Sequence, residues 1–348
     1  MSFKSNDIIF LLGAGCSNDA GIPTANEMIK DIENNLINRE WEEFKDLYNY
    51  VKSSILYAEG IFGSFNNSFN IEKFVNALSE LEKRERNIVY PFIANWNNRL
   101  LDLAGRDFIN INKFKNLITN QLTEWVKREN YQQEASYYQK FYDFQKELQL
   151  SLRIFSLNYD LCFELLKPND FTLELGFDEN RIWNSFRFEE NPNVSIGVYL
   201  YKLHGSITWK REKEKGNILK LSAHPEKEPD LIFGTDTKLQ SIDPYLFYVY
   251  EFRKYSLECK IIIVIGYSFS DGYINSLIKQ AIENDQNRKI ICIAPKNEDN
   301  TKEITKRKLQ LKDDSQIITI EKKAKEILEN ELTVKKIAEF LNVEEDVF

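Results

Sequence analysis

Three runs of consecutive apolar, largely β-branched residues constrain the fold more than any other feature: Ile8 to Leu12, Ile261 to Ile265 and Ile290 to Ile293. None alternates with polar residues, so each suits a strand buried on both faces, as in a parallel sheet covered by helices. Parallel neighbours need crossovers, and residues 271–284, between the second and third runs, have helical spacing. Shorter β-rich stretches are predicted at 152–157, 194–203, 231–233, 260–265, 289–294 and 316–320. The alternation predicts an α/β fold, a doubly wound, Rossmann-like parallel sheet. Residues 40–150 break this pattern. Segments such as Ile71 to Leu81 and Phe114 to Val126 repeat apolar residues at three and four, which predicts a large inserted helical module. The expected organisation is a core of 1–39 and 151–348 interrupted by a module of 40–150. The Lys- and Glu-rich end of the chain keeps apolar spacing at Ile327, Leu328, Leu332, Ile337 and Leu341 and reads as closing helices.

Composition narrows the function classes. A chain of 348 residues with a net charge of −8 lacks the basic excess of a nucleic-acid-binding surface, so no direct nucleic-acid ligand is expected. There is no run of eighteen apolar residues for a membrane span, and the opening residues lead into a strand without a signal-peptide pattern, so a cytoplasmic protein is expected. Cys16, Cys162, Cys259 and Cys292 are scattered with no CxxC pair, which predicts buried thiols and no four-cysteine zinc site.

The first apolar run ends in Gly13-Ala-Gly15-Cys-Ser17-Asn-Asp-Ala-Gly21-Ile22-Pro23. A strand that enters a glycine loop and then a helix can seat a phosphate on backbone N–H groups. The loop has no lysine for the GxxxxGK[ST] pattern, and its third glycine is misplaced for GxGxxG. A tight structural turn is the alternative. Three further strand ends carry polar groups, where ligands of open α/β sheets bind. Asn158 and Asp160 stand two apart after Phe155, so they face one side and can converge on a ligand, or Asp160 can cap the next helix. His204-Gly205 follows residues 198–203 and offers a base, or a structural histidine. Gly266-Tyr267-Ser268 follows Ile265 and suits phosphate or ribose oxygens, with Ser270 or Asp271 as a helix cap.

Together these elements resemble the sirtuins, the silent-information-regulator family of NAD-binding proteins. The match comprises GAGxSxxxGIP from Gly13 to Pro23, Asn-x-Asp at Asn158 to Asp160, His-Gly at His204-Gly205 and Gly-x-Ser at Gly266 to Ser268. The resemblance implies NAD+ as substrate. Gly13, Ala14, Gly15 and Ser17, with Ile22 and Pro23, would hold the phosphate side; Asn158 and Asp160 the nicotinamide ribose and carboxamide. His204 would act on ribose hydroxyls, while Gly266, Tyr267 and Ser268 line the adenosine side. Asn158 and His204 are the implied catalytic pair. Deacylating sirtuins carry a four-cysteine zinc module and a Phe-Arg pair after GIP, where this chain has Ala25-Asn26. It is instead similar to the zinc-free bacterial antiphage branch, which hydrolyses NAD+ to nicotinamide and ADP-ribose under the control of assembly or of a partner such as an HerA-type ATPase. The alternatives are a non-hydrolysing NAD or ADP-ribose sensor and an NAD-dependent deacylase or ADP-ribosyltransferase.

Overall fold

The computed structural model describes residues 3–61, 69–83, 98–189, 196–212, 216–233, 242–296 and 301–342. The chain divides into two compact units, one of Met1–Ile22, Lys127–Leu231 and Leu239–Phe348, the other of Pro23–Val126 and Ile232–Lys238.

The first unit is built on a seven-stranded sheet in which every described pairing is parallel. Its strands are β1 (Ile8–Leu12), β2 (Leu152–Ser156), β3 (Leu173–Glu174), β4 (Val198–Lys202), β7 (Ile261–Ile265), β8 (Lys289–Ala294) and β9 (Ile317–Glu321), in the order β3-β4-β2-β1-β7-β8-β9. The remaining two, β5 (Trp209–Glu212) and β6 (Ile218–Leu221), form a separate antiparallel hairpin. All residues of β1, β2, β4 and β7 are buried, as strands covered by helices on both faces are, and the charged ones among them, Arg153 and Lys202, are bonded within the protein. On one face Phe10 meets Phe141 and Phe144 of the helix Gln139–Leu148 edge-on, with ring centroids 5.4 and 5.7 Å apart. On the other, Phe155 stacks on Tyr201 and touches Phe252 of the helix Tyr245–Glu258. From β1 the strand order runs outward through β2 and β4 on one side and through β7, β8 and β9 on the other. The loops leaving β1 and β7 therefore part at a topological switch point, where open α/β sheets bind ligands.

The predicted strands at 152–157, 194–203, 260–265, 289–294 and 316–320 correspond to β2, β4, β7, β8 and β9, although 194 and 195 lie outside the described residues. The stretch 231–233 is not a strand, since Leu231 makes only an isolated bridge to Gly205. Sequence periodicity missed β3 and the hairpin, whose four-residue strands are only half-buried and therefore lack an apolar run.

The second unit is helical in its described residues, with helices Ala25–Asn35, Arg39–Glu42, Lys45–Ile61, Ile71–Glu82, Asn98–Ala104 and Ile109–Val126. Thr24 and Glu27 close the first by a capping box. Phe114 is the hub of its core, stacked on Phe44 at 4.8 Å and edge-on to Phe74 at 5.6 Å. The division falls at 22/23 and 126/127, where the sequence reading placed it at 39/40 and 150/151. Residues 131–148 go with the sheet because Tyr137, Tyr138, Phe141 and Phe144 pack on it, and 25–35 go with the helical unit.

Candidate functional site

Three glycines bring the loops after β1 and β7 into backbone contact. Gly13 and Gly15 donate their N–H groups to the carbonyls of Ile265 and Gly266, each at 2.9 Å. A Cβ on Gly13 would lie 2.6 Å from Tyr267 Cα, and one on Gly15 would lie 2.8 Å from Gly266 Cα. Gly266 itself has φ +65°, and its Cβ would fall 2.6 Å from Gly15 Cα. The glycines thus serve loop-to-loop packing first. This changes the sequence picture of free N–H groups awaiting an anion, because those of Gly13 and Gly15 are committed and the following helix, Ala14–Ser17, is a single turn. Ala14 and Gly15 are half-buried on this edge.

Ser17 is fully buried at the centre of a polar network. Its hydroxyl donates to Asp160 Oδ2 at 2.6 Å and accepts from Asn158 Nδ2 at 3.0 Å. With its own proton given to Asp160, it must accept from the Tyr138 hydroxyl at 2.8 Å. One bond donated and two accepted fill its capacity, so a phosphate contact from Ser17 requires that one of them break. Asn158 Nδ2 also donates to the Gly13 carbonyl at 3.0 Å. That carbonyl can only accept, which fixes the amide orientation and leaves Oδ1 as the acceptor these bonds do not use. Asn158 and Asp160 therefore do share a side, but what they meet there is Ser17.

Asp160 Oδ1 accepts from Cys162 N at 3.0 Å, but Leu161 holds the N-cap position of the helix Cys162–Leu165, so Asp160 bonds the first turn from one residue ahead of the cap. Burial pushes the Tyr138 phenol well above its usual range, which keeps it a neutral donor. Beneath Asp160, buried Lys202 bonds its backbone carbonyl and pairs with Glu164 at 3.0 Å. Desolvation raises the Glu164 carboxyl and the Lys202 charge opposes that rise.

His204 sits just beyond β4, buried, with its ring centroid 6.3 Å from that of Tyr159. Its Nε2 lies 3.5 Å from Asp271 Oδ2. Gly205 at φ +89° makes the turn, and a Cβ there would meet the Tyr245 hydroxyl at 2.9 Å. Tyr267 is buried and its hydroxyl donates to Asn275 Oδ1 at 2.9 Å, whereas Ser268 is exposed and bonds Ser270 at 3.1 Å. Ile22 is buried and donates to the Ser17 carbonyl at 3.4 Å, and Pro23 is the first residue of the helical unit.

The structure thus gathers Gly13, Ser17, Asn158 and Asp160 into one bonded group and places His204 at the next strand end, with Gly266 locked against Gly13 and Gly15. Sequence reasoning missed Tyr138 and Lys202. Tyr138 carried no signal, because its segment lacks strand or loop chemistry and was read as part of the insertion. Among the described residues no group of three His, Cys, Asp or Glu is arranged to hold a metal, and no helix is long and apolar enough to cross a membrane.

Residues 152–320 match the model of the SIR2-like domain family. No curated protein matches the chain in sequence. Solved structures similar to it include a Sir2 homologue in complex with NAD, at 15% identity over 96% of this chain and 90% of that one with a TM-score of 0.45. Another is a mutant Sir2 homologue in complex with ADP-ribose, at 15% identity over 97% and 93% with a TM-score of 0.46. The matched segment holds Asn158, Asp160, His204, Gly266, Tyr267 and Ser268, and Gly13 and Ser17 bond directly to it. Across residues 152–320, just under half of its length, the chain is similar to the SIR2-like domain family.

Proposed function

We propose that the chain is an NAD+ glycohydrolase. The reading is carried by one observation: buried Asn158, locked by the bonds of its amide nitrogen to Gly13 and Ser17, keeps its amide oxygen as an acceptor at the carboxyl edge of the sheet, one strand from a buried histidine. Hydrolysis breaks the bond between C1′ of the ribose and the nicotinamide nitrogen, and nicotinamide leaves as a neutral base. Water supplies its oxygen to C1′ and releases one proton, giving ADP-ribose. Positive charge builds on the ribose ring in the transition state, so the requirements are an oriented water and fixed dipoles in a dry site. Asn158 Oδ1 accepts a hydrogen bond from the attacking water, and His204 takes a proton from a ribose hydroxyl or from that water. Asp160, Tyr138 and Ser17 hold Asn158 in place.

The absence from the sequence of the four-cysteine pattern and of the Phe-Arg pair favours hydrolysis over deacylation. By the same resemblance, we place the activity in antiphage defence, with NAD+ depletion switched on by homo-oligomer assembly or by a separate partner such as an HerA-type ATPase. The test is to follow nicotinamide and ADP-ribose released from NAD+ by the purified protein, alone and with the product of a neighbouring gene. N158A and H204A should each lower release by about 10²–10⁴-fold, to a residual rate, while staying folded at the assay temperature, N158A with a lower melt because it removes two buried hydrogen bonds. Retained activity in both variants would sink the site assignment.

A non-hydrolysing sensor of NAD+ or ADP-ribose is the second reading. It is favoured by the full commitment of the Ser17 hydroxyl and of both Asn158 amide hydrogens inside the protein. Calorimetry that detects NAD+ binding with no product formed under any activating condition selects it.

A further inference from the structure

Asp271 is the N-cap of the helix that follows β7, and its side chain also faces His204 just beyond β4. It is 2% exposed, and its two carboxylate oxygens do different things. Oδ1 accepts from the N–H groups of Tyr273 at 3.0 Å and Ile274 at 3.3 Å, which caps the helix Gly272–Asn284. Oδ2 lies 3.5 Å from Nε2 of His204, which is itself only 4% exposed. The carboxylate is held still for this contact. Its backbone N–H donates to the Tyr267 hydroxyl at 3.1 Å, and that hydroxyl is anchored on Asn275 of the same helix. The N-terminus of a thirteen-residue helix also favours negative charge at its cap.

We propose that Asp271 is the positioning residue of His204. By facing Nε2, its carboxylate favours the proton on that nitrogen and so holds the neutral imidazole in the Nε2–H tautomer. It also stabilises the imidazolium that forms when the ring takes a second proton. This is the logic by which a buried carboxylate orients a catalytic histidine in hydrolases of unrelated fold. The separation of 3.5 Å is long for a hydrogen bond, and contacts of this kind shorten when substrate fills the site. The assignment links the β7 element to the β4 element through two side chains, a role apart from any contact of Gly266 or Ser268 with ligand.

Its kinetic consequence rests on the hydrolase reading, whereas its effect on the imidazole does not. The experiment uses D271S in the full chain, because serine caps a helix as well as aspartate does but is too short to reach the ring. Only two histidines are present, so long-range ¹H–¹⁵N correlation resolves the His204 ring nitrogens from those of exposed His224, with H204A to assign them. The wild type should show His204 as a single Nε2–H tautomer, and D271S should show a mixture. In turnover, D271S should lower kcat by about 10²-fold with KM for NAD+ little changed. It should have no further effect in the H204A background, as two residues acting as one unit require. An unchanged tautomer in D271S overturns the proposal, and so does an equal loss with and without His204. If D271S does not fold, D271T, which also caps a helix and is too short to reach the ring, is put through the same cycle with the same criteria. Loss of the fixed tautomer with no NAD+ turnover in the wild type under any activating condition upholds Asp271 and removes the hydrolase reading.

Discussion

Replacing Gly266 by alanine tests whether the loops after β1 and β7 are locked together. Two costs combine at this position. A Cβ in the left-handed region costs about 1–2 kcal/mol. The Cβ would also lie 2.6 Å from Gly15 Cα and against Cys16 N, both backbone atoms that no rotamer change can move aside. Ordinary contact requires a retreat of about 1 Å, and overpacking of this kind costs about 1–3 kcal/mol. The expected loss is about 2–5 kcal/mol. Two control variants separate the terms. Gly216 has φ +80° with nothing within 4 Å of its Cβ, so G216A carries the conformational cost alone. Gly272 has neither a positive φ nor a neighbour within 4 Å, so G272A should be neutral or slightly stabilising. Urea unfolding of the three variants should rank G266A far below G216A, with G272A at or above the wild type. Because Gly13 and Gly15 move with the β1 loop, NAD+ turnover in G266A should fall by about 10²-fold even at temperatures where it remains folded. A G266A midpoint indistinguishable from that of G216A would show that the loops separate freely and that the glycines are not there for close approach.

Other expectations follow from the same geometry. S17A leaves the Asp160 carboxylate and the Tyr138 phenol without their central partner, so it should cost about 2–4 kcal/mol in denaturant titration; a loss under 1 kcal/mol contradicts the network. Y138F removes one hydrogen bond but keeps the ring against Phe141 and Phe163, so stability should drop by only about 1 kcal/mol while product release slows measurably in the NAD+ assay. Arg153 is 1% exposed, between the Tyr199 ring at 4.5 Å and the Tyr255 ring at 3.8 Å, and bonds Asn6 and Tyr201. R153K loses the stacking plane and one of the bonds, and its melting temperature should fall by several degrees; an unchanged melt would refute the stacking argument. Burial pushes the Cys16, Cys259 and Cys292 thiols up to about 12 and Cys162 in the same direction. Since thiolate is the reactive form, a disulfide reagent at pH 8 should label no cysteine in the native protein and four after unfolding. Rapid native labelling of any one contradicts this burial.

The parallel sheet was legible because β1 and β7 are apolar on both faces and are separated from their neighbours by helical segments. The short strands were not, since Leu173–Glu174 and the β5–β6 hairpin bury too little to leave a periodic trace. Position along the chain also misled. Tyr137 and Tyr138 belong with the sheet through contacts to Cys16 and Ser17, residues more than a hundred positions away, and nothing local records such a contact. At the site, residue types and strand ends identified Asn158, Asp160 and His204 as a group worth weighing. They gave no hint that Ser17 would spend its whole hydrogen-bonding capacity on its neighbours. The cap role read for Asp271 also looks different in space, because the carboxylate that caps a helix has a second oxygen, and it is aimed at His204.

The strand order has a further consequence for how the protein comes into being. β1 is made before every other strand of the sheet, yet its two partners lie at Leu152–Ser156 and Ile261–Ile265. Five consecutive apolar residues must therefore wait with both edges unpaired until β2 is made and with one edge unpaired until β7 is made, a delay that invites chaperone engagement. The site inherits the same timetable. Gly13, Asn158, His204 and Gly266 cannot meet before β7 docks, so a nascent or truncated chain ending ahead of Ile261 has no assembled centre. For a protein whose proposed activity would consume its host's NAD+, late closure of the sheet makes unfinished copies harmless.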